Sequence, residues 1–169
     1  GRYFIIREKE SGMALNTRGN NANNARIYAD SYDEAQKKNY IWQLRRNALN
    51  VEYCQFYGPY FTKAIDVALG GVQYPLLWDP SYSNENQRLQ FIPVDGEKGV
   101  YRINSKKGGS WYGLKHEGGN LSMVSGYSSG SLFTLESVVV DDAPMTNVWE
   151  DETFFGENKE VGHATYIPY

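Results

Sequence analysis

The sequence predicts an all-β fold: a β-trefoil with three four-stranded repeats and pseudo-threefold symmetry. Three observations point to it. Strand and turn formers dominate the composition, one hairpin pattern recurs three times, and the aromatics that open and close each copy are almost evenly spaced.

The 169 residues are 41% hydrophobic and include 14 Tyr and 17 Gly, a mixture that favours short strands joined by many turns. A chain of this length supports one good hydrophobic core with a short remnant.

The first copy opens with Tyr3-Phe4-Ile5-Ile6-Arg7, turns at Ser11-Gly12 and returns through Met13-Ala14-Leu15-Asn16. The second reads Val51-Glu52-Tyr53-Cys54-Gln55-Phe56, a turn at Tyr57-Gly58-Pro59, then Tyr60-Phe61-Thr62-Lys63. In the third, Val100-Tyr101-Arg102-Ile103-Asn104 passes through a turn at Ser105-Lys106-Lys107-Gly108-Gly109 into Trp111-Tyr112-Gly113-Leu114.

A third apolar strand follows each hairpin, at Ala25-Arg26-Ile27-Tyr28, Tyr74-Pro75-Leu76-Leu77-Trp78 and Asn120-Leu121-Ser122-Met123-Val124. A strand centred on a large aromatic then closes the unit, with Trp42, Phe91 and Phe133 in that role. The opening tyrosines Tyr3, Tyr53 and Tyr101 stand 50 and 48 apart, and the closing aromatics 49 and 42 apart. A four-strand unit cannot cover its own apolar edges, so three of them packed about an axis, with hairpins capping a short barrel, form the natural solution. An irregular β-sandwich would need no such register.

The units are expected at about 1–47, 48–96 and 97–140, with 141–169 as linker and the start of a following domain. The pattern breaks at Asp141-Asp142-Ala143-Pro144, an acidic step of the kind that ends a domain.

Several function classes fall away on composition. Net charge is −3 and the cations are scattered, which excludes a phosphate-backbone interface and hence nucleic acid. No apolar run reaches the roughly 18 to 20 residues of a membrane span, and the first residues lack the basic-then-apolar pattern of a signal peptide. Cys54 is the single cysteine, which excludes an intramolecular disulfide and a cysteine-rich metal site, and its apolar setting suggests a buried, inert thiol. His116 and His163 lie 47 residues apart with no nucleophile or ligand pattern, so neither a metal, a cofactor nor a catalytic triad is expected.

At the closing strands the sequence resembles the ricin-type lectin family, whose units end in Gln-x-aromatic with the ring in the core. The position two before the closing aromatic holds Tyr40, Leu89 and Ser131, so the Gln of that signature is missing from this alignment. The resemblance implies sugar sites in which an aromatic at the end of the third strand stacks on the pyranose while Asp and Asn side chains bond the hydroxyls. Such sites pair a flat apolar patch with a partner for each hydroxyl. The first unit offers Tyr28 and Asp30, with Asn16 and Asn39. The second offers Trp78 and Asp79, with Asp66, Tyr82, Asn84 and Asn86. The third has only Met123 and Tyr127 beside small residues and is expected not to bind. The bland reading makes these Asn and Asp residues turn formers and the rings core or rim aromatics.

The last residues resemble the segment that opens long bacterial β-galactosidases of glycoside hydrolase family two, on Trp149, Glu150, Asn158, Lys159, His163 and Pro168. Such enzymes use two glutamates about 5 Å apart on a large barrel. No catalytic site is expected here, because Glu150, Glu152 and Glu157 belong to the tail and have no pocket to tune them.

The resemblances together imply a non-catalytic carbohydrate-binding or spacer trefoil at the amino side of a β-galactosidase-like hydrolase acting in carbohydrate metabolism. A glycan and the rest of the parent chain would be its partners, in a bacterial periplasmic or extracellular setting. The competing expectation is a free-standing protein-binding trefoil of the inhibitor or toxin-subunit type.

Overall fold

A computed structural model describes residues 3–68 and 73–139. The expected linker and hydrolase-like segment therefore lie outside the described residues.

Twelve strands are described, four per unit. The first unit contains β1 (Tyr3–Glu8), β2 (Ala14–Asn16), β3 (Tyr28–Asp30) and β4 (Trp42–Arg46). The second contains β5 (Cys54–Gly58), β6 (Lys63–Val67), β7 (Pro75–Trp78) and β8 (Gln90–Pro93). The third contains β9 (Val100–Lys107), β10 (Ser110–Glu117), β11 (Asn120–Ser125) and β12 (Phe133–Val138).

Six of these strands close a barrel. β1 pairs with β4, β4 with β5, β8 with β9, β9 with β12, and β12 returns to β1 along six residue pairs. The ring is completed between β5 and β8 by a bridge at Cys54 and Leu89, with N–H···O distances of 2.7 and 3.0 Å. A closed ring leaves no barrel edge open to stray pairing. The other six strands form three hairpins, β2–β3, β6–β7 and β10–β11, joined to one another through Asn120–Tyr28 and Arg26–Leu76. This is the expected all-β trefoil.

Strand alternation sends one face of each barrel strand inward. Phe4 and Ile6, Cys54 and Phe56, and Tyr101 and Ile103 all enter one buried cluster, joined there by Trp42, Phe91 and Phe133. Trp42 also donates its indole N–H to the Leu15 carbonyl at 3.1 Å and meets Phe61 edge to face. Cys54 is buried in this cluster, and loss of hydration pushes its thiol up to about 12.

The pairing corrects the sequence alignment in two places. Phe4 faces Trp42, Cys54 faces Leu89, and Tyr101 faces Phe133. The opening positions are therefore Phe4, Cys54 and Tyr101, not Tyr3 and Tyr53. The residue matching Trp42 and Phe133 is Leu89, while Phe91 matches Leu44 and Leu135. Two residues before Leu89 stands Gln87, so the second unit carries the Gln of the signature with leucine in place of the aromatic.

Several strand bounds also differ from expectation. β6 starts at Lys63 because the chain from Gly58 to Thr62 is a turn: Gly58 O accepts from Phe61 and Thr62 N–H, and Thr62 has φ 54°. A Cβ on Gly58 would collide with the Phe61 ring, so this turn requires glycine. β3 starts at Tyr28 and not Ala25, since Arg26 pairs across to Leu76 of the second unit. β9 and β10 run longer than expected, as Gly108 and Gly109 at φ 57° and 82° make a tight turn that lets pairing continue to Lys107 and Ser110.

Candidate functional site

In the β6–β7 hairpin, Ile65 and Leu77 form one pair and both enter the core. Alternation therefore turns Ala64, Asp66, Leu76 and Trp78 to the opposite, outer face. Asp66 faces Leu76 and Ala64 faces Trp78, which places Asp66 and Trp78 as diagonal neighbours on that face. Trp78 is 42% exposed, and its indole has no aromatic or cationic neighbour among the described residues.

The loop after β7 closes over this face. Asn84 caps a 3-10 turn over Glu85–Gln87, its Oδ1 accepting from the Asn86 N–H at 3.0 Å. Its other side-chain group, Nδ2, donates to Asp66 Oδ2 at 3.1 Å.

Gln87 is fully buried and ties the site together through four contacts. Nε2 donates to the Asp79 carbonyl at 2.9 Å and to Asp66 Oδ2 at 3.4 Å, while Oε1 accepts from Gln55 Nε2 at 3.0 Å and from Ser81 N–H at 2.9 Å. Gln87 is not among the sequence-predicted site residues, and the signal that marks it is its position two before Leu89, the residue that pairs with Cys54.

Asp66 is 4% exposed and burial pushes its carboxyl above the ordinary carboxylate value, with the Gln87 and Asn84 donors acting against that push. Both donors reach Oδ2, and Oδ1 accepts from no described residue. The Asn86 carboxamide likewise bonds to no described residue. Asp79 is exposed; Lys63 at 2.7 Å and Asn23 at 3.0 Å hold its carboxyl below the ordinary value. The Tyr82 carbonyl accepts from Asn47 at 3.0 Å, which anchors the loop to the first unit.

The first-unit residues come together in a different way. Hairpin register matches Asn16 to Asp66 and places Asp30, not Tyr28, at the position of Trp78. Arg18 Nε and Nη2 donate to the two Asp30 oxygens at 2.9 and 2.8 Å, and Asn16 Nδ2 adds a third bond at 2.9 Å. These bonds, Arg18 first, hold the Asp30 carboxyl below its ordinary value. The same guanidinium lies 3.7 Å from the Tyr28 ring centroid and occupies that face. Asn39 spends its Nδ2 on Gln36 at 3.3 Å.

In the third unit the corresponding positions hold Lys115, Val124 and Gly130, with neither a ring nor an acid. Met123 is a core residue, and Tyr127 packs edge to face on Trp111. Among the described residues no group of three or more His, Cys, Asp or Glu side chains could hold a metal. No described helix is long and apolar enough to cross a membrane.

No protein-family model matches the chain, and no curated protein matches it by sequence. Solved structures match it by shape. The designed threefold-symmetric protein ThreeFoil is similar at 21% identity, over 79% of this chain and 96% of that one, with a TM-score of 0.63. SeviL, solved bound to the asialo-GM1 saccharide, is similar at 16% identity, over 82% of this chain and 98% of that one, with a TM-score of 0.62. A GlcNAcα1-4Gal-releasing endo-β-galactosidase from Clostridium perfringens matches at 15% identity and a TM-score of 0.66, over 82% of this chain but 33% of that longer one. At these identities the likeness establishes the fold, and the fold is a β-trefoil.

Proposed function

We propose that the chain is a non-catalytic carbohydrate-binding β-trefoil of the ricin-type lectin class, with its working sugar site in the second unit. The observation that carries the reading is the exposed Trp78 ring beside Asp66, where among the described residues neither the ring nor Asp66 Oδ1 has a partner. A pyranose on the indole buries its apolar face, while Asp66 Oδ1 and the Asn86 carboxamide take its hydroxyls. Gln87 and Asn84 hold the acid in place, and Asp79, next to Trp78 in the chain, is tied to Gln87 through its carbonyl. The first unit is closed by its own Arg18, which sits where a sugar ring would stack.

We place this trefoil at the amino side of a multidomain β-galactosidase-like hydrolase, in a bacterial periplasmic or extracellular setting. Its support is the Trp149-Glu150, Asn158-Lys159 and His163 pattern in the tail, together with a similar trefoil in the much longer endo-β-galactosidase chain. There it would hold glycan near the catalytic domain and raise local substrate concentration.

The test is a titration of the 15N-labelled chain with galactosides and glycan fragments. Resonances of the second unit should shift with a dissociation constant in the millimolar range, about 4 kcal/mol of binding, and Trp78→Ala should remove the response. Absence of any response leaves a spacer, not a lectin.

A further inference from the structure

We infer that the second-unit site extends onto the first unit through the loop of residues 20–24, so that its ligand is a linear oligosaccharide and not a single sugar. This rests on the sugar-binding reading of Trp78.

Backbone bonds fix the loop beside β7. Asn24 N–H donates to the Leu77 carbonyl at 2.8 Å, Leu77 N–H donates to Ala25 at 2.8 Å, and Arg26 bridges to Leu76. The chain therefore passes along the strand that ends in Trp78. From it Asn23 reaches across 56 residues of sequence to Asp79, donating Nδ2 to Oδ2 at 3.0 Å. Lys63 holds the other carboxylate oxygen at 2.7 Å. Asp79 follows Trp78 directly, so Lys63, Asp79 and Asn23 form a polar rail leading from the indole onto the first unit.

Four of the five residues in this loop are asparagine. A purely local role would have each carboxamide bonded within its own turn. Asn20 behaves that way, accepting from Ala22 N–H at 3.3 Å. Asn23 and Asn24 do not. Both are exposed, the Asn24 carboxamide bonds to no described residue, and Asn23 retains one N–H and its oxygen after bonding Asp79. Asn24 holds a left-handed backbone, φ 73°, a conformation asparagine tolerates better than most residues. Two carboxamides with free donors and acceptors beyond the stacking ring are the groups that hydroxyls of a second and third sugar require.

The experiment titrates the 15N-labelled chain with galactose, glucose and N-acetylglucosamine, each as monomer, dimer and trimer. The variants are Trp78→Ala and the double variant Asn23→Ala with Asn24→Gly, the glycine keeping the left-handed turn. In the wild type one trimer should bind about tenfold more tightly than its monomer, the order expected of two or three added hydrogen bonds. The double variant should lose that gain and keep monomer affinity, and Trp78→Ala should lose both. Unchanged chemical shifts outside the loop show that the double variant folds. Monomer binding without a length dependence, or a gain that survives in the double variant, overturns the extension alone. If no sugar perturbs the second unit, the extension and the sugar-binding reading fail together.

Discussion

The Arg18 guanidinium lies 3.7 Å from the centre of the Tyr28 ring while bonding both oxygens of Asp30. A ring and an acid that would greet a sugar are thus engaged by the chain's own cation. Asn16, Tyr28 and Asp30 should therefore show no chemical-shift response to any sugar that perturbs the second unit. Arg18 sits in the left-handed region at φ 53°, so Arg18→Gly removes the side chain while relieving the backbone. The ion pair is exposed and worth at most about 1 kcal/mol, so thermal unfolding should barely move. Tyr28 resonances should become sugar-sensitive in this variant, or the closed-site account is wrong.

Gln87 satisfies Asp66, Asp79, Ser81 and Gln55 at once from a fully buried position. Gln87→Leu keeps volume but strands the Ser81 N–H and the Gln55 amide, so a urea titration should show a loss of about 2–4 kcal/mol. Sugar affinity should fall as well, since the loop carrying Asn84 and Asn86 loses its anchor. A variant as stable as wild type would show that this network is dispensable.

Much of the barrel is legible in the sequence because its signals are local. Alternating apolar residues and turn formers mark where strands begin and return, and large aromatics such as Trp42 and Phe133 announce the core. Register in the second unit is not legible. Leu89 and Phe91 lie two apart on one strand face, and a pattern of period two cannot say which of them faces Cys54. The larger residue draws the alignment to itself, and Gln87 is hidden as a result. The Arg18 contact and the reach of Asn23 to Asp79 are equally hidden, because both depend on where loops pass in space.

Two tryptophans separate stability from binding. Trp42 is fully buried and bonded to Leu15, so Trp42→Ala should cost about 3–5 kcal/mol in denaturant unfolding. Trp78 is 42% exposed and packs against no other ring among the described residues, so Trp78→Ala should stay within about 0.5 kcal/mol of wild type. Equal losses in the two variants would place Trp78 among structural residues and remove the basis for a stacking site.

The last prediction concerns pH at Asp66, where stability and binding should move in opposite directions. Burial raises the folded-state value of this carboxyl above its ordinary 3.8, so the folded protein holds the proton more tightly than the unfolded chain does. The stability this group contributes is therefore fully present below its unfolded value and is lost as pH rises through the folded one. At neutral pH the ionised acid is a net burden on the fold. Asp66→Asn removes that burden, because its carbonyl can accept from Asn84 and Gln87 as Oδ2 does while its amide takes the place of the unengaged Oδ1. The variant should melt higher than wild type at pH 7, and the gap should narrow as pH falls through the folded value. Sugar binding should behave oppositely. An ionised Asp66 accepts from hydroxyls, so wild-type affinity should decline as pH falls into the raised titration, and Asp66→Asn should bind weakly at every pH. Melting curves from pH 3 to 8, paired with titrations at the same points, test both limbs. A variant that melts lower at pH 7, or binds as tightly as wild type, would contradict the assignment of Asp66 as a buried acid kept for its ligand.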